Sequence, residues 1–156
     1  MEKDLVISTA TEKIDAELVR IEKELKPSAY TPKTNCRFNY QDKTSTNEGI
    51  NIRTINDISE LIKMVSFVNR KSEDYENATK IVAASIPDFK IVPFTWNGFS
   101  ASDWQDDLMY FIKKIIYTQK VRELTEYKKT LEPLYSQDKK DQIVIESILS
   151  KLNFNG

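Results

Sequence analysis

Three aspartates stand close together in the second half of the chain, and their carboxylates suit metal chemistry better than any other group of side chains. Asp103 and Asp107 are one helical turn apart, and Asp106 flanks them. Mg²⁺ often binds through one or two carboxylates with water and phosphate, so the cluster is a weak candidate for a Mg²⁺-dependent phosphodiesterase. The alternative is that these acids offset the positive end of a helix. We favour this alternative, because no second acid cluster near a basic motif supports a metal, and we expect neither metal nor cofactor.

The composition excludes several other catalytic sites. The 156 residues contain no histidine and a single cysteine, Cys36. A catalytic triad with a histidine base and a histidine metal site are therefore absent, and one cysteine forms neither an internal disulfide nor a thiolate zinc site. We interpret Cys36 as a small packing residue, because no histidine is present to activate its thiol. The chain is expected not to be an enzyme.

A basic stretch with interspersed aromatic residues could contact nucleic acid. Phosphate contacts and base stacking would together hold RNA or single-stranded DNA. The alternative is the solvated face of a long helix, which the net charge of -1 and the nearby Glu123 and Glu126 favour. The candidates for nucleic-acid contact are Tyr110, Lys113, Lys114, Tyr117, Lys120 and Arg122.

Aromatic residues are also dense between Asp88 and Phe99. Exposed, they would form a hot spot for a protein partner, and the candidates for that contact are Phe94, Trp96 and Phe99. Buried, they would cover the core where the sheet meets the long helix, and we favour this alternative. Asn97-Gly98 predicts a turn in which Gly98 has a positive φ.

Local patterns in the first half of the chain predict a helix, a hairpin and further helices. Thr9 begins a possible capping box, so a helix is predicted at about 9–26, with a heptad seam. A short strand at Leu5 to Ile7 is the alternative for the residues before it. Apolar and polar residues alternate on both sides of a polar loop, Gln41 to Gly49, and this pattern predicts a hairpin at about 36–53. Helices follow at about 55–84, the second of them capped by Ser72. The seam of the first helix consists of Ile7, Thr11, Ile14, Leu18, Ile21 and Leu25.

The second half predicts an edge strand at about 89–96, a long helix at about 101–132 and a last helix at about 137–152 capped by Ser136. The long helix has the clearest start in the chain. Ser100 is placed as its N-cap with Asp103 three residues later, and Phe99 and Trp104 form a hydrophobic staple. Its apolar stripe changes direction near Thr118, so either the helix bends or its two halves pack on different partners. The stripe beyond that point is Val121, Leu124, Leu131 and Tyr135.

These elements predict a helix-dominated α+β fold in one domain, 1–156, with a small antiparallel sheet of about three strands and one long helix. The two apolar seams, in the N-terminal helix and in the second half of the long helix, leave open a coiled coil that self-assembles. No stretch approaches the roughly 20 apolar residues of a membrane span, and the N-terminus lacks a signal peptide. A cytoplasmic protein without a membrane partner is expected.

Several motifs between about residues 94 and 136 carry a resemblance to other proteins. They are Phe94-x-Trp96-x-Gly98-Phe99, then Asp103-Trp104-x-x-Asp107-Leu108, and finally Leu131-Glu132-Pro133-Leu134-x-Ser136. The region resembles small uncharacterised accessory proteins carried by phages and mobile elements of AT-rich bacteria. The resemblance implies a small cytosolic protein that acts by contact in a host cytoplasm. Some such proteins inhibit host defences, including RNA-guided (CRISPR-type) nucleases.

The function expected from the sequence is therefore non-enzymatic binding that occupies a partner's surface. A protein partner is expected first, within a nucleic-acid-handling complex that would bring RNA near the basic stretch. The alternatives are a self-assembling structural component and, after it, the Mg²⁺-dependent phosphodiesterase.

Overall fold

The structure is a computed structural model that describes residues 2–44, 48–134 and 140–154. Helices dominate, and the sheet of the described residues has two short antiparallel strands, so the fold is helix-dominated α+β, as predicted. None of the described helices is both long and apolar enough to cross a membrane. The helices are α1 (Glu2–Glu24), α2 (Ile58–Ser85), α3 (Ala101–Leu131) and α4 (Lys140–Phe154), and the strands are β1 (Arg37–Phe38) and β2 (Ile50–Asn51).

The chain divides into two compact units. Unit 1 comprises Met1–Lys26 and Ile116–Gly156, and unit 2 comprises Pro27–Ile115. The division falls inside α3, so the two halves of this helix pack on different partners, which is the second explanation for the change in its apolar stripe. That residues 1–156 fold as a single domain stays a prediction.

Unit 1 contains α1, α4 and the C-terminal part of α3 around one apolar core. The predicted seam of α1 supplies one side of this core, and Leu18 and Leu25 pack against it from its edge. α1 begins at Glu2, ahead of Thr9, and the Thr9 hydroxyl donates to the Leu5 carbonyl instead of capping the helix. Tyr135 and Ser136 lie outside the described residues. The buried core consists of Ile7, Ala10, Ile14, Ile21, Leu124, Leu131, Ile145 and Ile148.

The sheet of unit 2 is the predicted hairpin, with Phe38 opposite Ile50. The third strand, predicted at about 89–96, was wrong for the described residues, because this segment pairs with neither β1 nor β2. Pro93 has no N–H to donate, and the Val92 carbonyl accepts from the Tyr75 hydroxyl at 2.5 Å instead of from a strand. The segment therefore follows α2 without joining the sheet.

α2 is a single helix, although the sequence predicted a new helix at Ser72. It runs unbroken from Ile58 to Ser85, and its N-cap is Asp57, whose carboxylate accepts from the Ser59 N–H at 2.9 Å. With 28 residues it is nearly as long as α3 with 31, so the expectation of one long helix was incomplete. Glu73 and Asp74, the acids that follow Ser72, are exposed on this continuous helix.

α3 begins where the sequence predicted. The Ser100 hydroxyl accepts from the Asp103 N–H at 3.1 Å, and the rings of Phe99 and Trp104 meet edge to face with centroids 6.0 Å apart. The half of α3 in unit 2 then supplies much of the core of that unit. The buried apolar residues of unit 2 are Cys36, Phe38, Ile52, Leu61, Met64, Val68, Trp96, Trp104, Leu108, Phe111 and Ile112.

Replacing Leu108 by alanine tests the assignment of the buried face of α3. Leu108 is fully buried, so Leu108→Ala is expected to lower the free energy of unfolding by about 2 to 5 kcal/mol through lost burial and a cavity. Met109 is the next residue of the same helix and is 44% exposed, so Met109→Ala should stay within about 0.5 kcal/mol of the wild type. Urea denaturation measures both changes, and equal losses in the two variants would contradict the assignment.

Candidate functional site

The most completely hydrogen-bonded side chain of unit 2 is the carboxylate of Asp107, which is fully buried. One oxygen accepts from the Tyr30 hydroxyl at 2.5 Å and from the Lys33 N–H at 2.9 Å. The other accepts from Thr34, through the N–H at 2.8 Å and the hydroxyl at 2.6 Å. The Thr34 hydroxyl in turn accepts from the Cys36 N–H at 3.0 Å. Asp107 thus fixes the loop before β1 to α3 within unit 2.

The hydrogen bonds around Asp107 keep its carboxylate ionised. Burial alone would raise the pKa of this group, but the bonds from Thr34, Tyr30 and Lys33 outweigh burial and hold the pKa below the ordinary value. The pKa of Tyr30 is raised, first by burial and then by its hydrogen bond to the negative Asp107. Tyr30 therefore acts as a hydrogen-bond donor and not as a proton source.

The three aspartates predicted as a weak metal site have separate roles. The Asp103 side chain lies in the first turn of α3, and Asp106 forms an exposed ion pair with the Lys33 ammonium group. The acceptor positions of Asp107 are taken by the donors described above. Among the described residues, no group of three acidic or cysteine side chains is arranged to hold a metal ion. Asp107 therefore acts as a structural anchor, because its carboxylate holds the loop before β1 to α3.

Of the three residues predicted for partner contact, Trp96 belongs to the core. It is 8% exposed, and its indole N–H donates to the Asn39 carbonyl at 2.8 Å. The Trp104 indole donates to the Trp96 carbonyl at 2.6 Å, so both tryptophan N–H groups are satisfied inside unit 2. Phe99 is half-buried against Trp104, whereas Phe94 is half-buried and lines a surface groove.

The Asn97-Gly98 turn joins Trp96 to Phe99, as the sequence predicted. Asn97 has φ 48° and Gly98 has φ 84°, and Trp96 and Phe99 exchange backbone hydrogen bonds of 2.7 and 3.0 Å. The Asn97 side chain is buried, donates to the Gln41 carbonyl and accepts from the Asn39 N–H. The turn thus fixes the chain after β1 as well as the start of α3.

An apolar groove of about 340 Å³ lies between α2 and the segment that follows it. We call it the apolar groove. Tyr75 and Thr79 of α2 form one wall, and the segment 91–94 forms the other. Five of the eleven large apolar side chains that are exposed in the described residues lie between positions 81 and 92, and two of the five, Ile91 and Val92, line the groove. The five are Ile81, Ile86, Phe89, Ile91 and Val92.

A second groove, of about 350 Å³, lies at the N-terminal half of α2, beside Tyr40. We call it the basic groove. Tyr40 and Phe67 contact edge to face with centroids 5.0 Å apart. Lys63 lies over the Tyr40 ring at 5.9 Å, and Arg70 lies over the Phe67 ring at 5.6 Å. Aromatic rings and positive charges therefore meet on one face of the helix.

Some of the residues predicted for nucleic-acid contact have side chains that already pack against other residues. The Tyr110 ring stacks on Tyr30 with centroids 4.4 Å apart, and Tyr117 packs against the core of unit 1. Lys120 lies near Glu17, whose pKa is lowered mainly by its hydrogen bond with Arg20 and in part by Lys120. Lys113, Lys114 and Arg122 are exposed. The two tyrosines are thus used in packing, which leaves exposed charges without stacking surfaces.

Sequence reasoning missed the basic groove and the wall of the apolar groove. Lys63, Phe67 and Arg70 recur at the spacing of one helical face, a signal that is present in the sequence. The contact between Tyr75 and Val92 carries no such local signal, because it depends on the chain reversing after α2. Comparisons with protein-family models, with curated proteins and with solved structures find no match for this chain.

Replacing Asp107 by asparagine tests the anchoring role of the carboxylate. An amide keeps one acceptor oxygen and turns an NH₂ group toward two of the four donors, so Asp107→Asn should lower the free energy of unfolding by about 3 kcal/mol. Asp106→Asn breaks only an exposed ion pair and should lower it by less than about 1 kcal/mol. Chemical denaturation at neutral pH measures both, and similar small losses would contradict the anchoring role.

The stabilisation by Asp107 is also expected to depend on pH. Because its pKa is lowered in the folded state, the unfolded state takes up the proton first as the pH falls. The stability difference between wild type and Asp107→Asn should therefore be complete above the unfolded pKa of about 4 and shrink as the pH falls through the folded pKa. Denaturation at pH 7, 4 and 3 tests this, and a difference that stays constant would contradict it.

Proposed function

We propose that this chain is a non-enzymatic binding protein that occupies the surface of another protein through the apolar groove. The observation that carries the proposal is a groove of about 340 Å³ in which Ile91 and Val92 are 60% and 66% exposed. Apolar surface left exposed around a groove is typical of an interaction site. Its burial on binding would supply the main favourable free energy.

The composition of the groove fits apolar side chains of a protein better than a polar ligand. Tyr75, Val92 and Phe94 line the groove together with the exposed charged residues Glu76 and Lys80. An apolar centre with a polar rim is typical of the places where a few side chains carry most of the binding free energy. A groove of this size accommodates one or two large apolar side chains of a partner.

A second copy of this chain is a less suitable occupant. The seams that the sequence offered for self-assembly include Ile14 and Leu124, and both are buried in the core of unit 1. Their burial removes the apolar stripe that a coiled coil between copies would use. The phosphodiesterase alternative is not proposed, because Asp106 and Asp107 are engaged with Lys33 and with the loop around Thr34.

The resemblance to accessory proteins of phages and mobile elements supports the same mode of action. A small protein that binds an apolar site on a host protein blocks that site without chemistry. Inhibition of a host defence complex, such as an RNA-guided nuclease, is the form of this activity that we propose. The partner surface would be an exposed apolar site on one protein of that complex.

Replacing Val92 by aspartate tests whether the apolar groove is the contact surface. Val92 is 66% exposed in the groove and Val19 is 67% exposed in unit 1, so Val92→Asp and Val19→Asp make the same change at equal exposure. A photoreactive phenylalanine analogue at position 91 should crosslink one host protein, and Val92→Asp should abolish that crosslink. Val19→Asp should leave it intact.

The crosslinked protein, once purified, allows a quantitative measurement. Titration calorimetry should give at least about tenfold weaker binding for Val92→Asp and unchanged binding for Val19→Asp, since a buried aspartate without a partner opposes binding. The heat capacity change on binding should be negative, because apolar surface is buried. Equal affinities for the two variants, or a crosslink only to a second copy of the chain, would refute the proposal.

A further inference from the structure

The basic groove has a chemistry that the proposed protein contact does not use. Its lining consists of Tyr40, Lys63, Ser66, Phe67 and Arg70, all within unit 2. We propose that this groove binds a nucleotide, with the phosphate held by the positive side chains and the base stacked on the aromatic face. The nucleotide is either free or part of a single strand, since both carry the same phosphate and base.

Two positive side chains, Lys63 and Arg70, line the groove, and a third, Lys71, lies against the ring of Phe67. Lys63, Arg70 and Lys71 are seven and eight positions apart on α2, a spacing that brings them to one side of the helix. Lys71 lies over the Phe67 ring at 5.5 Å, as Arg70 does from 5.6 Å. Among the described residues, the ion pairs of the structure include none of the three. Their charges therefore remain available for an anion such as phosphate.

The aromatic face of the groove is held rigid from behind. Phe67 meets Trp96 with centroids 5.1 Å apart and Phe38 with centroids 6.0 Å apart, both nearly edge to face. Phe38 is fully buried and Trp96 is 8% exposed, so the core fixes the orientation of Phe67. A rigid aromatic ring and a guanidinium plane are the surfaces on which unpaired bases stack.

Polar groups at the Tyr40 end suggest how a nucleotide would lie. The Tyr40 hydroxyl is buried and makes no hydrogen bond with the described residues. Burial raises the pKa of Tyr40, and the nearby charge of Glu60 raises it further. A phosphate would be repelled by Glu60, so it belongs at the Arg70 and Lys71 end. The base belongs near Tyr40, where Glu60 can accept from an amino group of the base.

This combination favours a nucleotide over an acidic peptide. A peptide carboxylate would pair with Lys63 or Arg70 but would make no use of the aromatic rings of Tyr40 and Phe67. A nucleotide uses both the charge and the rings, and its base covers apolar surface that is now exposed. An acidic peptide is therefore the competing ligand in the test.

The test compares two double variants that each remove two adjacent positive charges from a helix. Fluorescence anisotropy with a labelled single-stranded RNA measures affinity for the wild type, for Arg70→Gln/Lys71→Gln and for Lys113→Gln/Lys114→Gln. The groove variant should bind at least about tenfold more weakly, and the α3 variant should stay within about twofold of the wild type. The slope of log affinity against log salt should become less steep by about 0.7 for each groove cation removed.

Further measurements separate stacking from charge and identify the source of the nucleotide. Phe67→Leu should weaken binding about tenfold without changing the salt slope, because it removes a stacking surface and no charge. Competition by AMP at the same groove would indicate a free nucleotide, and competition only by unlabelled single strands would indicate a nucleic acid. Absence of binding, equal losses in the two double variants, or competition by polyglutamate as strong as by the unlabelled single strand would overturn the proposal.

Discussion

The buried carboxylate of Asp107 is the constraint on which the rest of unit 2 depends. It satisfies donors from a loop of 30–34 that has no regular secondary structure, and without it the buried N–H of Thr34 would have no acceptor. Through Thr34 it also reaches Cys36, which has φ 60°, a conformation that a residue with a side chain rarely adopts. This backbone turn directs the chain into β1, so a charge on α3 determines where the strand begins.

The position of β1 in turn places Tyr40 at the basic groove. Phe38 enters the core beside Trp104, and Asn97 fixes the residues that follow β1, which brings Tyr40 next to α2. The unbroken course of α2 then gives its successive turns different neighbours. Turns near Phe67 face Tyr40 and carry cations. Later turns face the returning segment, whose Ile91, Val92 and Phe94 supply most of the apolar surface of the other groove. One helix thus presents two surfaces of different chemistry, which a break at position 72 would have separated.

The features that sequence analysis predicted well depend on neighbouring residues. The start of α3 at Ser100 and the turn at Gly98 follow from residues within five positions of each other, and both are confirmed. The role of Asp107 could not be predicted, because its partners lie more than 70 positions away and their hydrogen bonds leave no periodic pattern. The helix boundary predicted at Ser72 was wrong, since α2 runs through this position without a break. A serine followed by acids resembles an N-cap, but the same residue types are also tolerated inside a helix.

Trp96 shows that an aromatic residue can be assigned to a binding surface only when the solvent exposure of its side chain is known. Its ring stacks near Phe94, with centroids 6.5 Å apart, and meets Phe67 edge to face. Phe94 lines the apolar groove and Phe67 lines the basic groove, so Trp96 supports a wall of each from inside the core. Its replacement would disturb both surfaces and the hydrogen bond to Asn39. A loss of binding after such a change would therefore follow from the disturbed core and would not show that Trp96 contacts a ligand. Replacing an exposed residue in one groove changes that surface alone.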